Sequence, residues 1–148
     1  MRDQGKRYKR PLIVSIILSI LGETAIFVIW GLLLYPEGSW LSKFFWTIII
    51  CGIGMGSTIG AAIVLFVVDR FQGLGAIIAT TILSVFILGI GCDFVCYELD
   101  KHFQYFGATE NPTLFLANGV GMSLIGGLIT GVLLFTENGN RLLSKLGV

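Results

Sequence analysis

Residues 17–27 read ILSILGETAIF and place one carboxylic acid, Glu23, near the middle of a long apolar run. A charged side chain at the centre of a bilayer costs at least about 2.5 kcal/mol, so such residues usually face other helices or a wet cavity. Two roles fit this acid: a hydrogen-bonded group that links helices, or a site for a proton, an ion or a substrate. The stretch therefore predicts a transmembrane helix whose acid is directed toward the protein interior.

The composition of the 148-residue chain is that of a membrane protein. Hydrophobic residues make up 55% of the sequence and charged residues only 13%, whereas soluble domains carry about 25% charged residues. Four apolar runs are long enough to cross a bilayer; they cover residues 11–35, 43–68, 74–97 and 112–135. We therefore predict an all-α fold, in which four transmembrane helices of a multi-pass membrane protein pack as one bundle between short tails.

Lysine and arginine are distributed unevenly between the predicted loops. With the N-terminus inside, the inner side holds Arg2, Lys6, Arg7, Lys9, Arg10, Arg70, Arg141 and Lys145. The outer side holds only Lys43 and Lys101. Because cytoplasmic segments carry an excess of these residues, we predict that both termini are cytoplasmic and that the membrane is a plasma or inner membrane.

Small residues recur every four positions in two of the predicted spans. These glycine stripes are Gly52, Gly56 and Gly60 in the second span, and Gly119, Ser123, Gly127 and Gly131 in the fourth. Small residues on one helix face let two backbones approach closely, which matters in lipid because burial gives little hydrophobic gain there. The stripes predict tight helix packing, either within the chain, with another copy or with other membrane subunits.

The two stripes also indicate an internal repeat. Gly119 and Gly127 follow Gly52 and Gly60 by 67 residues, and both spans run inward from an outer turn. The two helical hairpins would then be parallel repeats around an axis along the membrane normal. Chance similarity between two glycine-rich helices is the alternative explanation.

The depth of each residue, at a rise of about 1.5 Å per helical residue, predicts which polar groups meet. We expect Glu23 to form a proton, ion or substrate site with hydroxyl residues of similar depth, which are Ser19, Ser57, Ser84 and Ser123. No Lys or Arg lies deep in the predicted spans, so we expect Glu23 to be largely protonated at neutral pH. Asp93 and Asn118 would form a separate polar site near the outer side, unless Asp93 simply extends to the interface.

The three cysteines are interpreted as small apolar helix residues. Cys92 and Cys96 share one helix face, where an internal disulfide has poor geometry. Together with His102 and the neighbouring acids they match no standard zinc spacing, so we expect no metal site and no cofactor. Catalytic motifs are lacking, which argues against an enzyme, and the basic N-terminal tail flanks a span, which argues against nucleic-acid binding.

A four-helix chain with an acid midway along its first helix resembles the small multidrug exporters, which exchange protons for cationic drugs. The resemblance covers only Glu23 and the number of helices, because the third span lacks a comparable motif and the outer loop is extended. A glycine-rich helix with a membrane acid is also similar to the proteolipids of ATP synthase, but here Glu23 precedes the stripe. Neither similarity assigns a family.

Two functional hypotheses remain. In the first, the chain is an oligomeric transporter or channel-like component that uses Glu23 as a protonatable or ion-binding site. In the second, it is a non-catalytic subunit or assembly factor that docks onto a larger membrane complex through its glycine stripes. We favour the first, because a central acid is costly to retain for packing alone.

Overall fold

The computed structural model describes residues 2–148, with side chains from residue 5 onward, and this part of the chain is helical and has no strand. Four helices are long and apolar enough to cross a membrane, which confirms the predicted number. We label them α1 (Gly5–Leu34), α2 (Trp40–Phe66), α3 (Gly73–Phe103) and α4 (Pro112–Phe135). A short helix, α5 (Glu137–Lys145), follows α4.

Three of the long helices contain π-helical stretches. These are Phe27–Leu34 in α1, Phe45–Ile53 in α2 and Val85–Cys92 in α3. Such stretches are rare and frequently occur at functional sites. The wider π-helical turn rotates the residues on either side relative to one another, so a constant period of 3.6 residues assigns some side chains to the wrong face.

Helix α3 extends beyond the predicted span. The sequence predicts an end near residue 97, but the helix continues to Phe103 and ends where Gln104 adopts a left-handed conformation with φ of 53°. The connection to α4 is correspondingly short and covers residues 104–111. Asp93 therefore lies ten residues before the end of α3, well inside the helix, and not at its outer end.

The glycine stripe of α2 packs against α1. A Cβ added at Gly56 would lie 2.6 Å from Ile16 Cα, and one added at Gly60 would lie 2.8 Å from Leu12 Cα. Real side-chain carbons do not approach backbone atoms this closely, so only glycine fits at both positions. The two helix backbones of this hairpin are therefore in direct contact.

The stripe of α4 packs against α3 in the same way. A Cβ at Gly127 would lie 3.0 Å from Thr81 Cα, and one at Gly131 would lie 3.0 Å from Ile77 Cα. Each stripe thus contacts the helix that precedes it in the same chain. Self-association stays a prediction, and it would have to use other faces, because these two are already covered.

The two ends of the chain meet at one end of the molecule. The guanidinium of Arg10 donates from Nε to the carbonyl of Val148 (3.2 Å), from Nη1 to Asn140 Oδ1 (3.0 Å) and from Nη2 to Ser144 Oγ (2.9 Å). Arg7 donates to the carbonyl of Val68 at 2.6 Å in the turn between α2 and α3. These two arginines tie the start of α1 to α5 and to that turn.

The outer surface of the long helices is apolar. Large hydrophobic side chains are exposed along all four of them, and Leu33 and Leu74 are each 71% exposed. Apolar surface on this scale marks a face that contacts a membrane or another protein. The buried apolar cluster lies toward the end that holds both termini, and it includes Val14, Ile63, Val67 and Leu134.

We predict that Gly56→Leu lowers the free energy of unfolding by about 1–3 kcal/mol, the usual cost of overpacking, because its side chain must displace the backbone of α1. Gly54→Leu is the matched control, since nothing lies within 4 Å of a Cβ at Gly54, two residues away on the same helix. Thermal unfolding of both variants in one detergent measures the difference. Equal stability of the two variants would contradict the close contact of α1 and α2.

Candidate functional site

A cavity of about 160 Å³ lies between the four long helices. Its lining runs along α1 from Ser15 to Trp30 and includes side chains from α2, α3, α4 and residue Phe106 of the connection between α3 and α4. Ser15 and Ile26, both in the lining, are separated by about 16 Å along the axis at about 1.5 Å per residue. The cavity is therefore elongated along the helices, and it has room for several water molecules.

Glu23 and Asp93 both line this cavity. Glu23 comes from α1 and Asp93 from α3. The sequence predicted two separate sites, one at Glu23 and one nearer the outer side at Asp93 and Asn118. The structure places all three side chains around one cavity, because α3 continues past residue 97 and brings Asp93 deeper than expected.

Asp93 is packed in a specific pocket against α4. Its side chain is buried, and Oδ2 has no hydrogen-bond partner among the described residues. A Cβ added at Gly119 would overlap the Asp93 carboxyl group. The first small residue of the α4 stripe therefore provides the space that this acid occupies. A buried oxygen without a partner is costly, so the group needs a proton, water or a cation from the cavity.

Hydroxyl groups line the cavity beside the two acids. Three of the four predicted serines, Ser19, Ser84 and Ser123, are in the lining, whereas Ser57 is half-buried and lies outside it. Ser123 Oγ donates to the carbonyl of Val120 at 2.9 Å in its own helix. Ser15, which also lines the cavity, has a buried hydroxyl without a hydrogen-bond partner in the described chain.

Besides Trp46, the α2 residues that line the cavity are Thr47, Cys51, Met55 and Ile59. Thr47, Cys51, Met55 and Ile59 share one helix face. These residues are spaced by four, next to the stripe of Gly52, Gly56 and Gly60 that contacts α1. Ser57 has the depth that the sequence predicted but lies on a different face. Depth alone therefore did not identify the α2 residues of the site.

No lysine or arginine lines the cavity in the part of the chain whose side chains are described. Lys43 is a buried cation, 1% exposed, that lies outside the lining. Its ammonium group donates to the carbonyl of Gly31 at 3.0 Å and to the carbonyl of Tyr35. Because Lys43 caps the end of α1, where helix carbonyls carry partial negative charge, it is engaged there and does not pair with Glu23 or Asp93.

The end of the cavity away from the chain termini is covered by the connection between α3 and α4. Asp100 Oδ1 accepts hydrogen bonds from the backbone N–H of Tyr105 (2.9 Å) and of Phe106 (3.1 Å), and Oδ2 accepts one from that of Ala108 (2.9 Å). Phe103 stacks on Tyr105 with ring centroids 5.5 Å apart. The third acid of the lining thus has a structural role, which sequence reasoning did not identify.

Two cysteines from different helices meet at the cavity. Cys51 Sγ on α2 lies 4.0 Å from Cys96 Sγ on α3, and both residues line the cavity. The sequence analysis considered a pair only between Cys92 and Cys96, which are close in the chain, and rejected a disulfide between them. Contacts between residues 45 positions apart leave no signal in the spacing of a single sequence.

Comparisons of the chain with family models, with curated proteins and with solved structures find no match. The functional argument therefore depends on the geometry of the cavity.

We predict that Asp100→Ala exposes the backbone amides of Tyr105, Phe106 and Ala108 to fast hydrogen exchange, because each loses its acceptor. An unsatisfied buried donor costs about 1–3 kcal/mol, so the variant should also unfold at a lower temperature. Glu98→Ala is the control, since Glu98 is exposed and pairs only with Lys101. Unchanged exchange at these three amides in Asp100→Ala would show that Asp100 does not hold the connection in place.

Proposed function

We propose that the chain is an integral membrane transport protein that binds protons or small cations between Glu23 and Asp93. The observation that carries the proposal is the position of both acids on one internal cavity whose lining contains no lysine or arginine. Acids within membrane spans usually mark pathways for protons, ions or substrates. Two acids without a basic partner favour a site that takes up positive charge from outside the chain.

Asp93 and the hydroxyl groups of the cavity lining support this proposal. Asp93 has a buried oxygen without a partner, and the helix carbonyls accept hydrogen bonds from Ser123, Thr47 and Thr130, which line the same cavity. A hydroxyl group that donates its hydrogen keeps its oxygen lone pairs available as acceptors. Carboxylate and hydroxyl oxygens can take up a proton or contribute to the coordination of a cation.

The contacts within the hairpins support the predicted repeat. Gly60 opposes Leu12 in the first hairpin, and Gly127 opposes Thr81 in the second. Gly127 follows Gly60 by 67 residues, and Thr81 follows Leu12 by 69. In this register the position of Glu23 corresponds to residue 92, directly before Asp93. We therefore propose that the two hairpins are parallel repeats and that each contributes one acid to the cavity between them.

The alternative role, a non-catalytic subunit that docks through the glycine stripes, has less support. Gly56, Gly60, Gly127 and Gly131 are covered by helices of the same chain. A docking subunit also has no need for two acids on an internal cavity. Oligomerisation through the apolar outer surface is compatible with either role and is part of our proposal only as an expectation.

The transport proposal is tested in liposomes that contain the purified protein and a pH-sensitive dye. A potassium gradient with valinomycin sets the membrane potential, and proton entry is recorded alone and against imposed gradients of sodium or potassium. We expect a flux that Glu23→Gln and Asp93→Asn each reduce to the level of empty liposomes, because amides cannot take up the proton or bind the cation.

Glu98→Gln is the matched control for this experiment, since Glu98 lies on α3 outside the cavity and is expected to leave the flux unchanged. Size-exclusion profiles establish that each variant is folded. A folded Glu23→Gln variant with the flux of the unmodified protein would contradict the proposal, as would the absence of a flux from the unmodified protein under every imposed gradient.

We further propose that the end of the molecule with both termini faces the cytoplasm, because eight of the ten lysine and arginine residues lie on that side in the predicted topology. Single cysteines at residue 147 and at residue 109 should react with a membrane-impermeant maleimide from opposite sides of sealed vesicles. Residue 147 is expected to be labelled only from the inside. Labelling of both residues from one side would contradict the four-span topology.

A further inference from the structure

We infer that the cavity holds a binding site for a soft, sulfur-seeking monovalent cation of the copper(I) class, with Cys51 and Cys96 as ligands. This site specifies the class of cation for the proposed transport function. Its role in transport rests on that proposed function, whereas the metal binding itself does not. It starts from the two sulfur atoms, which come from different helices and lie 4.0 Å apart.

The separation of the two sulfurs suits a shared metal ion. With metal–sulfur bonds of about 2.3 Å, a sulfur–sulfur distance of 4.0 Å corresponds to an angle of about 120° at the ion. This is the angle of a three-coordinate site. The ion would lie between α2 and α3 with its third position open to the cavity.

The remaining lining of the cavity favours a soft ion. Methionine occurs three times in the chain, and both methionines after Met1, Met55 and Met122, line this cavity. Thiolate and thioether ligands select copper(I) over hard cations such as magnesium or calcium. The same lining also holds the carboxyl group of Glu23.

A structural zinc site does not fit these residues. Zinc in such sites takes four ligands from Cys, His, Asp or Glu, and no group of three or more of these side chains converges on one point in the described part of the chain. Copper(I) accepts two or three ligands, and this cavity supplies two sulfurs at one place. The ion class therefore follows from the number of donors as well as from their softness.

Binding of the ion can leave the site without net charge. A monovalent ion bound by one thiolate and one neutral thiol gives a neutral unit, which is the least costly charge state in an apolar surrounding. Binding then displaces one proton from a thiol, as metal binding to cysteine generally does. No electron transfer is required, since both the ion and the sulfurs keep their oxidation states.

The test measures copper(I) binding to the reduced protein in detergent under anaerobic conditions, with a chromogenic copper(I) chelator as the competitor. We expect one ion per chain and one proton released per ion. Cys51→Ser and Cys96→Ser should each weaken binding by at least about 100-fold, the upper end of the cost of losing even an outer-shell partner. Cys92→Ser is the matched control and should bind as the unmodified protein does, because Cys92 does not line the cavity.

A second readout needs no variant. Bound copper(I) should protect Cys51 and Cys96 from alkylation by a small maleimide but leave Cys92 unprotected, as mass spectrometry of the peptides would show. Absence of binding by the unmodified protein would overturn the inference, as would binding that survives in both Cys51→Ser and Cys96→Ser. Copper(I) binding without a flux in the liposome experiment would contradict the transport function but leave the metal site. A Glu23-dependent flux without copper(I) binding would contradict the metal site but leave the transport function.

Discussion

The close contact between glycine backbones within each hairpin is the constraint on which the rest of the structure depends. In lipid, apolar side chains gain little by leaving their surroundings, so helices are held together by packing and hydrogen bonds. Gly56 and Gly60 bring α2 onto α1, and Gly127 and Gly131 bring α4 onto α3. Because each hairpin is tight internally, the open space of the molecule lies between the hairpins, where side chains from all four helices line it.

The cavity lining is acidic because the nearby cationic side chains form their hydrogen bonds elsewhere. Arg10 is bound at the end that holds the termini, and Lys43 caps the carbonyl end of α1. The Asp100 carboxylate accepts hydrogen bonds from three backbone N–H groups. Among the acids of the cavity lining, Glu23 and Asp93 have no such partner in the part of the chain whose side chains are described. This asymmetry is the physical basis of the proposed affinity for protons and cations.

The sequence predicted the number of long helices and the glycine stripes, because length, hydrophobicity and four-residue spacing are local properties. The role assigned to Glu23 stays a prediction. The sequence did not predict the placement of Asp93, since that required the true end of α3. It chose Ser57 over Cys51, because depth does not specify which face of a helix meets a cavity. The approach of Cys51 to Cys96 depends on tertiary packing and on π-helical stretches that a regular period does not contain.

Glu23 and Asp93 face one shared cavity and not the lipid. Solid-state NMR of the protein in bilayers, with labelled Glu, Asp and Met side chains, tests this placement. We predict through-space contacts of Glu23 with Met122, whose methyl group packs at 3.3 Å from the Cβ position of Gly22, and none with lipid acyl protons. Strong contacts between the Glu23 carboxyl group and acyl chains, without contacts to Met122, would contradict it.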